Sequence, residues 1–318
     1  MSNAPLPPEE ADFFGQDMDL SEMVKGILDL VVSNVGDRRL GRALVDLGNL
    51  LAPQELTKVY QTITEKLTDA SRQRVARLAP QWNHFLSRGG KVYRREQLWP
   101  GVMLYRSAAE GAVRPAMVCF TSKRAGLFMP NCRFLELIGR HPVDVVILTS
   151  DTGTFGDWSL CGSRSFHDSL ATLKAELAGR GIRPSLYLGA SAGGGPAVIA
   201  AMLDGRASGI MFGGRFYWPG RKIPLSRAGS AFEPLCACWQ GPRVPLHSIF
   251  GANMAWDAEN TRRLSRLMPH LQANPIPNDD KHSPMATLAA RQKLRPVVDL
   301  IVQAAAGKPV NFDLVRMP

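Results

Sequence analysis

The sequence predicts an α/β fold, a mainly parallel central sheet with helices on both faces, preceded by an α-helical segment. Three observations lead there. The runs Met117-Val118-Cys119-Phe120 and Val145-Val146-Ile147-Leu148 are apolar without alternation, as strands buried on both faces are. From about residue 100 to 305 strand-like and helix-like stretches succeed one another regularly, the pattern of a parallel sheet with helical crossovers. Ahead of them the periodicity is helical, and the pair Gly89-Gly90 marks the change of texture.

Residues 1–18 carry several prolines and acidic residues with little periodicity and read as a flexible lead. Residues 19–90 form the helical segment. Leu20, Met23, Val24, Ile27, Leu28 and Val31 recur at the three-and-four spacing of one apolar helix face, and Leu40, Ala43, Leu44, Leu47, Leu50 and Leu51 repeat it. Pro53 stands where a first-turn proline opens a third helix through Leu56, Val59, Ile63 and Leu67, and a fourth is expected over 72–86. In the sheet domain, residues 91–318, strands are expected at 102–106, 116–120, 143–149, 185–188, 208–212, 246–250 and 271–275. Helices are expected at 133–139, 165–180, 194–203, 258–267 and 284–305.

Composition narrows the function classes. With 45% hydrophobic and 21% charged residues the chain has the balance of a folded globular protein. No run reaches the roughly 18 apolar residues of a membrane span, and the first residues lack the basic start and apolar stretch of a secretory signal, so a cytoplasmic location is expected. The net charge of +10 is dispersed in pairs such as Arg38-Arg39 and Arg262-Arg263, without the clustering that nucleic acid demands, and no nucleic-acid partner is expected. The five cysteines are odd in number and lack zinc-ligand spacing, so they read as free thiols and no metal is expected.

The chemistry concentrates after the strand at 185–188. There the chain runs Gly189-Ala190-Ser191-Ala192-Gly193-Gly194-Gly195 and turns helical, a G-x-S-x-G at a strand-to-helix turn. Such a turn lifts a serine hydroxyl clear of the sheet at the cost of strained backbone and close chain approach, so the flanking residues must be small. The free N–H groups of the following helix face the serine and favour negative charge there. The glycines do not fit the dinucleotide spacing G-x-G-x-x-G and no P-loop lysine follows, which argues against a phosphate cradle.

On this motif and the order of elements over roughly residues 100–310, the sequence resembles the α/β-hydrolase superfamily of serine hydrolases. The resemblance implies a triad in the chain order serine, acid, histidine. Ser191 is then the nucleophile. His282, in the loop Asn278–Pro284 after the last strand, matches the base, with Pro284 opening the helix behind it; His270 is the other downstream histidine. Asp257, just past the strand at 246–250, matches the acid, with Asp279 and Asp280 as alternatives and a plain helix N-cap as its structural reading. The oxyanion hole is implied at the amide of Ala192, with a second donor from Thr121 or Ser122, where the sequence departs from the His-Gly-Gly loop of many lipases and esterases. The aromatic insertion at about 215–244, with Phe216, Tyr217, Trp218, Phe232 and Trp239, reads equally as a small lid over the nucleophile or as plain packing. The activity implied is cleavage of a carboxylic ester or thioester through an acyl-serine, without a cofactor, on a small-molecule or carrier-bound acyl substrate. Acyl transfer by the same triad is an alternative, as is a silent scaffold whose N-terminal helices bind a protein partner or a second copy.

Overall fold

The computed structural model describes residues 18–79, 93–108, 115–122, 126–139, 141–149, 166–214, 241 and 243–317. They divide into two compact units, one of residues up to Tyr93 together with Pro130–Glu136, the other of the remainder.

The first unit is helical, with α1 (Leu20–Val32), α2 (Asp37–Leu50), α3 (Pro53–Lys66) and α4 (Asp69–Leu78). Asp19 opens α1 as a capping box: its carboxylate accepts from the Glu22 amide at 2.8 Å while Glu22 accepts from the Asp19 amide. Pro53 takes the first turn of α3, where its missing N–H has no helical acceptor to lose. The apolar stripes pack on one another: Met23, Ile27, Leu40, Leu44, Leu47, Leu56, Val59, Ile63 and Val75 share one buried cluster. The predicted extension of α4 to residue 86, and the Gly89-Gly90 boundary, lie outside the described residues.

The second unit is an eight-stranded sheet in the order β1-β2-β4-β3-β5-β6-β7-β8. Its strands are β1 (Tyr93–Trp99), β2 (Val102–Ser107), β3 (Pro115–Phe120), β4 (Asp144–Leu148), β5 (Arg183–Ala190), β6 (Ser208–Phe212), β7 (Leu246–Gly251) and β8 (Leu271–Ile276). β2 runs antiparallel to β4, and the pairs from β4 through β8 are parallel. All seven predicted strands are present. β1 was not expected: its sequence Tyr-Arg-Arg-Glu-Gln-Leu-Trp has no apolar alternation, because an edge strand tolerates charges along its length.

The helices are α5 (Asn131–Ile138), α6 (Phe166–Gly179), α7 (Gly194–Asp204), α8 (Ala255–Leu267), α9 (Pro284–Ala290), α10 (Leu294–Ala305) and α11 (Asp313–Arg316). The single helix predicted over 284–305 is two, with Gln292 at φ 58° between them. Pro296 explains the break. It lacks the N–H that a continuous helix would bond four residues back, and it is accommodated instead in the first turn of α10. The short α11 was not foreseen either.

This topology fixes where chemistry belongs. From β3 the chain moves outward to β4, then returns past β3 to β5 and continues the other way, so the connections reverse direction between β3 and β5. In open parallel sheets the crevice beyond the carboxyl ends at such a switch point is the natural site. Behind it, the Tyr187 hydroxyl donates to Asp204 at 2.7 Å and Lys174 pairs with the same carboxylate at 2.8 Å, tying α6, β5 and α7 together.

Candidate active site

Ser191 follows β5 directly and starts a short 3-10 turn, Ser191–Gly193, that runs into α7. Its φ is 52°, in the left-handed region that a serine enters at a cost of about 1–3 kcal/mol. Gly193 shows why this turn needs small residues: a Cβ there would stand 2.3 Å from the Phe120 carbonyl oxygen at the end of β3. The turn can press against the neighbouring strand because this position has no side chain.

The three predicted triad residues come together. Ser191 Oγ lies 2.7 Å from His282 Nε2, and His282 Nδ1 lies 2.9 Å from both oxygens of Asp257. Asp257 is fully buried, whereas the His282 side chain keeps 21% of its surface exposed. An ionised carboxylate only accepts, so the Nδ1 position carries the proton and Nε2 is left to accept from the serine hydroxyl. Asp257 stands in the first turn of α8, but the N-cap there is Met254, and the Asp257 carboxylate turns to the histidine. Asp279, the alternative acid, is engaged elsewhere. Its Oδ1 accepts from the Lys281 amide at 3.2 Å and the Thr287 hydroxyl at 2.9 Å, and its carbonyl accepts from the Asn253 amide at 2.9 Å. Asp279 thereby ties the histidine loop to the turn that follows β7. Asp280 is exposed. His270 stands before β8, at the sheet's opposite edge, and His247 is buried within β7 against Phe312.

No family model and no curated protein matches the sequence. Solved structures do. 2,6-Dihydroxy-pseudo-oxynicotine hydrolase superposes with a TM-score of 0.52 at 16% identity, over 96% of this chain and 92% of that one. The chain has the α/β-hydrolase fold. An esterase of Pyrobaculum calidifontis matches at a TM-score of 0.49 and 13% identity over 79% of this chain and 97% of its own. A carboxyl esterase of Tuber melanosporum matches at 0.47 and 11%, over 70% and 87%.

In this hydrolase fold the Ala192 amide sits in the first turn after the serine, where N–H groups have no partner within their own helix. The expectation for the second donor meets a different arrangement. The Thr121 amide and hydroxyl both donate to the Leu148 carbonyl at 3.0 Å, and the Ser122 amide donates to Gly126 at 2.9 Å. Neither amide is aimed at an incoming oxyanion unless its bond opens. The aromatic insertion lies outside the described residues, apart from residues 241, 243 and 244. Among the described residues no cluster of His, Cys, Asp and Glu could hold a metal, and no helix is long and apolar enough to cross a membrane. Cys119 and Cys132 are buried free thiols, and burial pushes both upward, which keeps them protonated and unreactive. Cys161, Cys236 and Cys238 lie outside the described residues.

Two site residues escaped the sequence reading. Gly213, after β6, has φ 51°, and a Cβ there would stand 3.0 Å from Asp257 Oδ2 and 3.3 Å from His282 Nδ1 and Cε1. Phe128, in the segment after β3, sets its ring at right angles to His282, with centroids 5.3 Å apart at 88°. The Gly213-Gly214 pair at a strand's carboxyl end was a usable signal for the first. Nothing local marks the second.

Proposed function

We propose that the protein is a serine hydrolase that cleaves a carboxylic ester or thioester through an acyl-Ser191 intermediate. The observation that carries this reading is the unbroken hydrogen-bond chain from Ser191 Oγ through His282 to the buried Asp257. In the first half-reaction the Ser191 hydroxyl attacks the acyl carbon as its proton passes to His282 Nε2. The Ala192 amide stabilises the oxyanion. As the tetrahedral intermediate collapses, His282 returns the proton to the leaving oxygen or sulfur. Water then attacks the acyl carbon as its proton passes to His282 Nε2. The second tetrahedral intermediate collapses, the bond to Ser191 Oγ breaks as His282 returns the proton to it, and the acid leaves. Asp257 holds the imidazole in the tautomer that accepts at Nε2 and stabilises the imidazolium.

A fluorophosphonate probe tests this directly. Labelling of the wild type that disappears in Ser191→Ala and His282→Ala supports the mechanism, and a folded wild type that does not label refutes it. Each single substitution should lower turnover by roughly 10⁴ to 10⁶, and the double variant should lose little more, because the two residues act in one step.

A further inference from the structure

Phe128 is an anomaly at the edge of the site. Its φ of 61° belongs to the left-handed region, where a bulky side chain is a true outlier. The other non-glycine residues at positive φ among those described are differently placed: Asn34 and Asn278 are of the type that tolerates this region, Gln292 joins two helices, and Ser191 is the elbow itself. The fold does not need an aromatic residue here for turn geometry, since glycine would serve it without strain. Phe128 is nevertheless held in place. Its neighbour Leu127 is buried, Gly126 closes the turn by accepting from the Ser122 amide at 2.9 Å, and the Phe128 ring packs at right angles to His282. Phe128 as a whole is half-buried.

Resting on the serine-hydrolase reading, we propose that Phe128 is a specificity-determining residue that favours an apolar, ring-bearing alcohol or thiol as the leaving group. The chemistry of proton return locates the leaving group. The atom that departs must come within hydrogen-bond reach of His282 Nε2, roughly 2.6–3.2 Å, to take its proton. With its centre 5.3 Å from the imidazole, the Phe128 ring touches the same imidazole that touches the leaving atom. The ring is then within reach of the first carbons beyond that atom. A polar chain laid against this surface exchanges water for nothing, whereas an aromatic or aliphatic group gains contact and stacking.

The test uses octanoate and acetate esters of benzyl alcohol and of 2-methoxyethanol, compared in wild type, Phe128→Gly and Phe128→Leu. Esters with the same acyl group share one acyl-enzyme, so a leaving-group preference appears in kcat/KM. We expect wild type to favour the benzyl esters and Phe128→Gly to reduce that preference about tenfold or more, the scale of discrimination a small apolar contact provides. Phe128→Leu, which keeps an apolar surface, should retain part of it. Because glycine relieves the backbone strain, Phe128→Gly should melt within about 3 °C of wild type. Equal loss for both alcohols together with a large fall in melting temperature would identify Phe128 as packing and overturn the proposal. So would an unchanged preference, or a wild type that labels with the fluorophosphonate probe yet does not cleave the benzyl esters. A wild type that neither labels nor cleaves overturns the hydrolase reading itself, and the leaving-group proposal with it.

Discussion

Asp257→Asn separates what a carboxylate does for the histidine from what a hydrogen bond alone does. The substitution is isosteric at a fully buried position, and both native oxygens lie 2.9 Å from Nδ1. If the carboxylate merely supplied a charged hydrogen bond, its loss would cost about 1.5–3 kcal/mol, which is about 10- to 150-fold in rate. The structure predicts more. An asparagine can present its amide N–H₂ to Nδ1, which then accepts, and the imidazole proton moves to Nε2, the atom that must take the Ser191 proton. The wrong tautomer cannot act as base, and the expected fall in kcat is about 10⁴, or about 5.5 kcal/mol at 1.36 kcal/mol per decade. The assay is steady-state turnover of whichever ester the wild type cleaves, with the fluorophosphonate labelling rate as an independent measure and thermal melting to verify the fold. A loss under about 100-fold would refute the tautomer argument. A harmless Asp257→Asn beside an inactive Asp280→Asn would refute the assignment of the acid.

Gly213→Ala should reduce kcat by about 10- to 100-fold, because its methyl group, 3.0 Å from Asp257 Oδ2 and 3.3 Å from the imidazole, must displace the pair by some tenths of an ångström or more. The same kinetic assay, with melting, reads it; full activity would mean that the pair tolerates displacement. Asp279→Ala removes the acceptor of the Lys281 amide and Thr287 hydroxyl and should lower stability by about 1–3 kcal/mol in urea unfolding, with a fall in kcat as the His282 loop loosens. Asp279→Asn keeps an acceptor oxygen and should recover most of both. His247 gives a pH signature remote from the site. Burial lowers it from 6.5 to about 4, and among the described residues its Nδ1 has no hydrogen-bond partner. The unfolded chain therefore takes up this proton first as pH falls. Stability is fully present above pH 6.5 and declines between 6.5 and about 4, by at most about 3.5 kcal/mol at 1.36 kcal/mol per unit. His247→Leu should flatten the urea-unfolding stability profile across that window, and an unchanged slope would exclude this histidine as its source.

What could be read from the sequence follows from how locally each feature is encoded. The central strands announce themselves because both faces are buried: β4, Asp144–Leu148, is buried at every position. The edge strand β1 has no such requirement and carries Arg94, Arg95 and Glu96, which disguise it. Pro296 is a legible helix-start signal inside the stretch expected as one helix, and the apolar periodicity of Val297, Val298, Ile301 and Val302 runs on past it. At the site, Ser191 is marked by its own neighbours, while His282 and Asp257 are marked only as matches, after β8 and β7, to the positions that the α/β-hydrolase resemblance implies. Thr121 illustrates the opposite case. Whether its amide is available depends on Leu148 in another strand, and no pattern near Thr121 reports that bond.

Three of the departures from ordinary backbone geometry share a location. Ser191 after β5, Phe128 in the segment after β3 and Gly213 after β6 all adopt positive φ, and these three strands are consecutive neighbours in the sheet. A parallel sheet alone requires no such turns, since a strand can pass to its crossover helix through extended or right-handed residues. Left-handed residues here bend the chain sharply at the strand ends. One raises a hydroxyl, one leaves room for the Asp257–His282 pair, and one brings a ring against that histidine. Ser191 and Phe128 contravene local preference, the pattern expected where function and not folding sets the backbone, while Gly213 supplies the residue type that such a turn prefers. Substitutions that restore local preference at Ser191 and Phe128 should therefore stabilise the fold or leave it unchanged while impairing catalysis, the reverse of the outcome for the buried strands behind them.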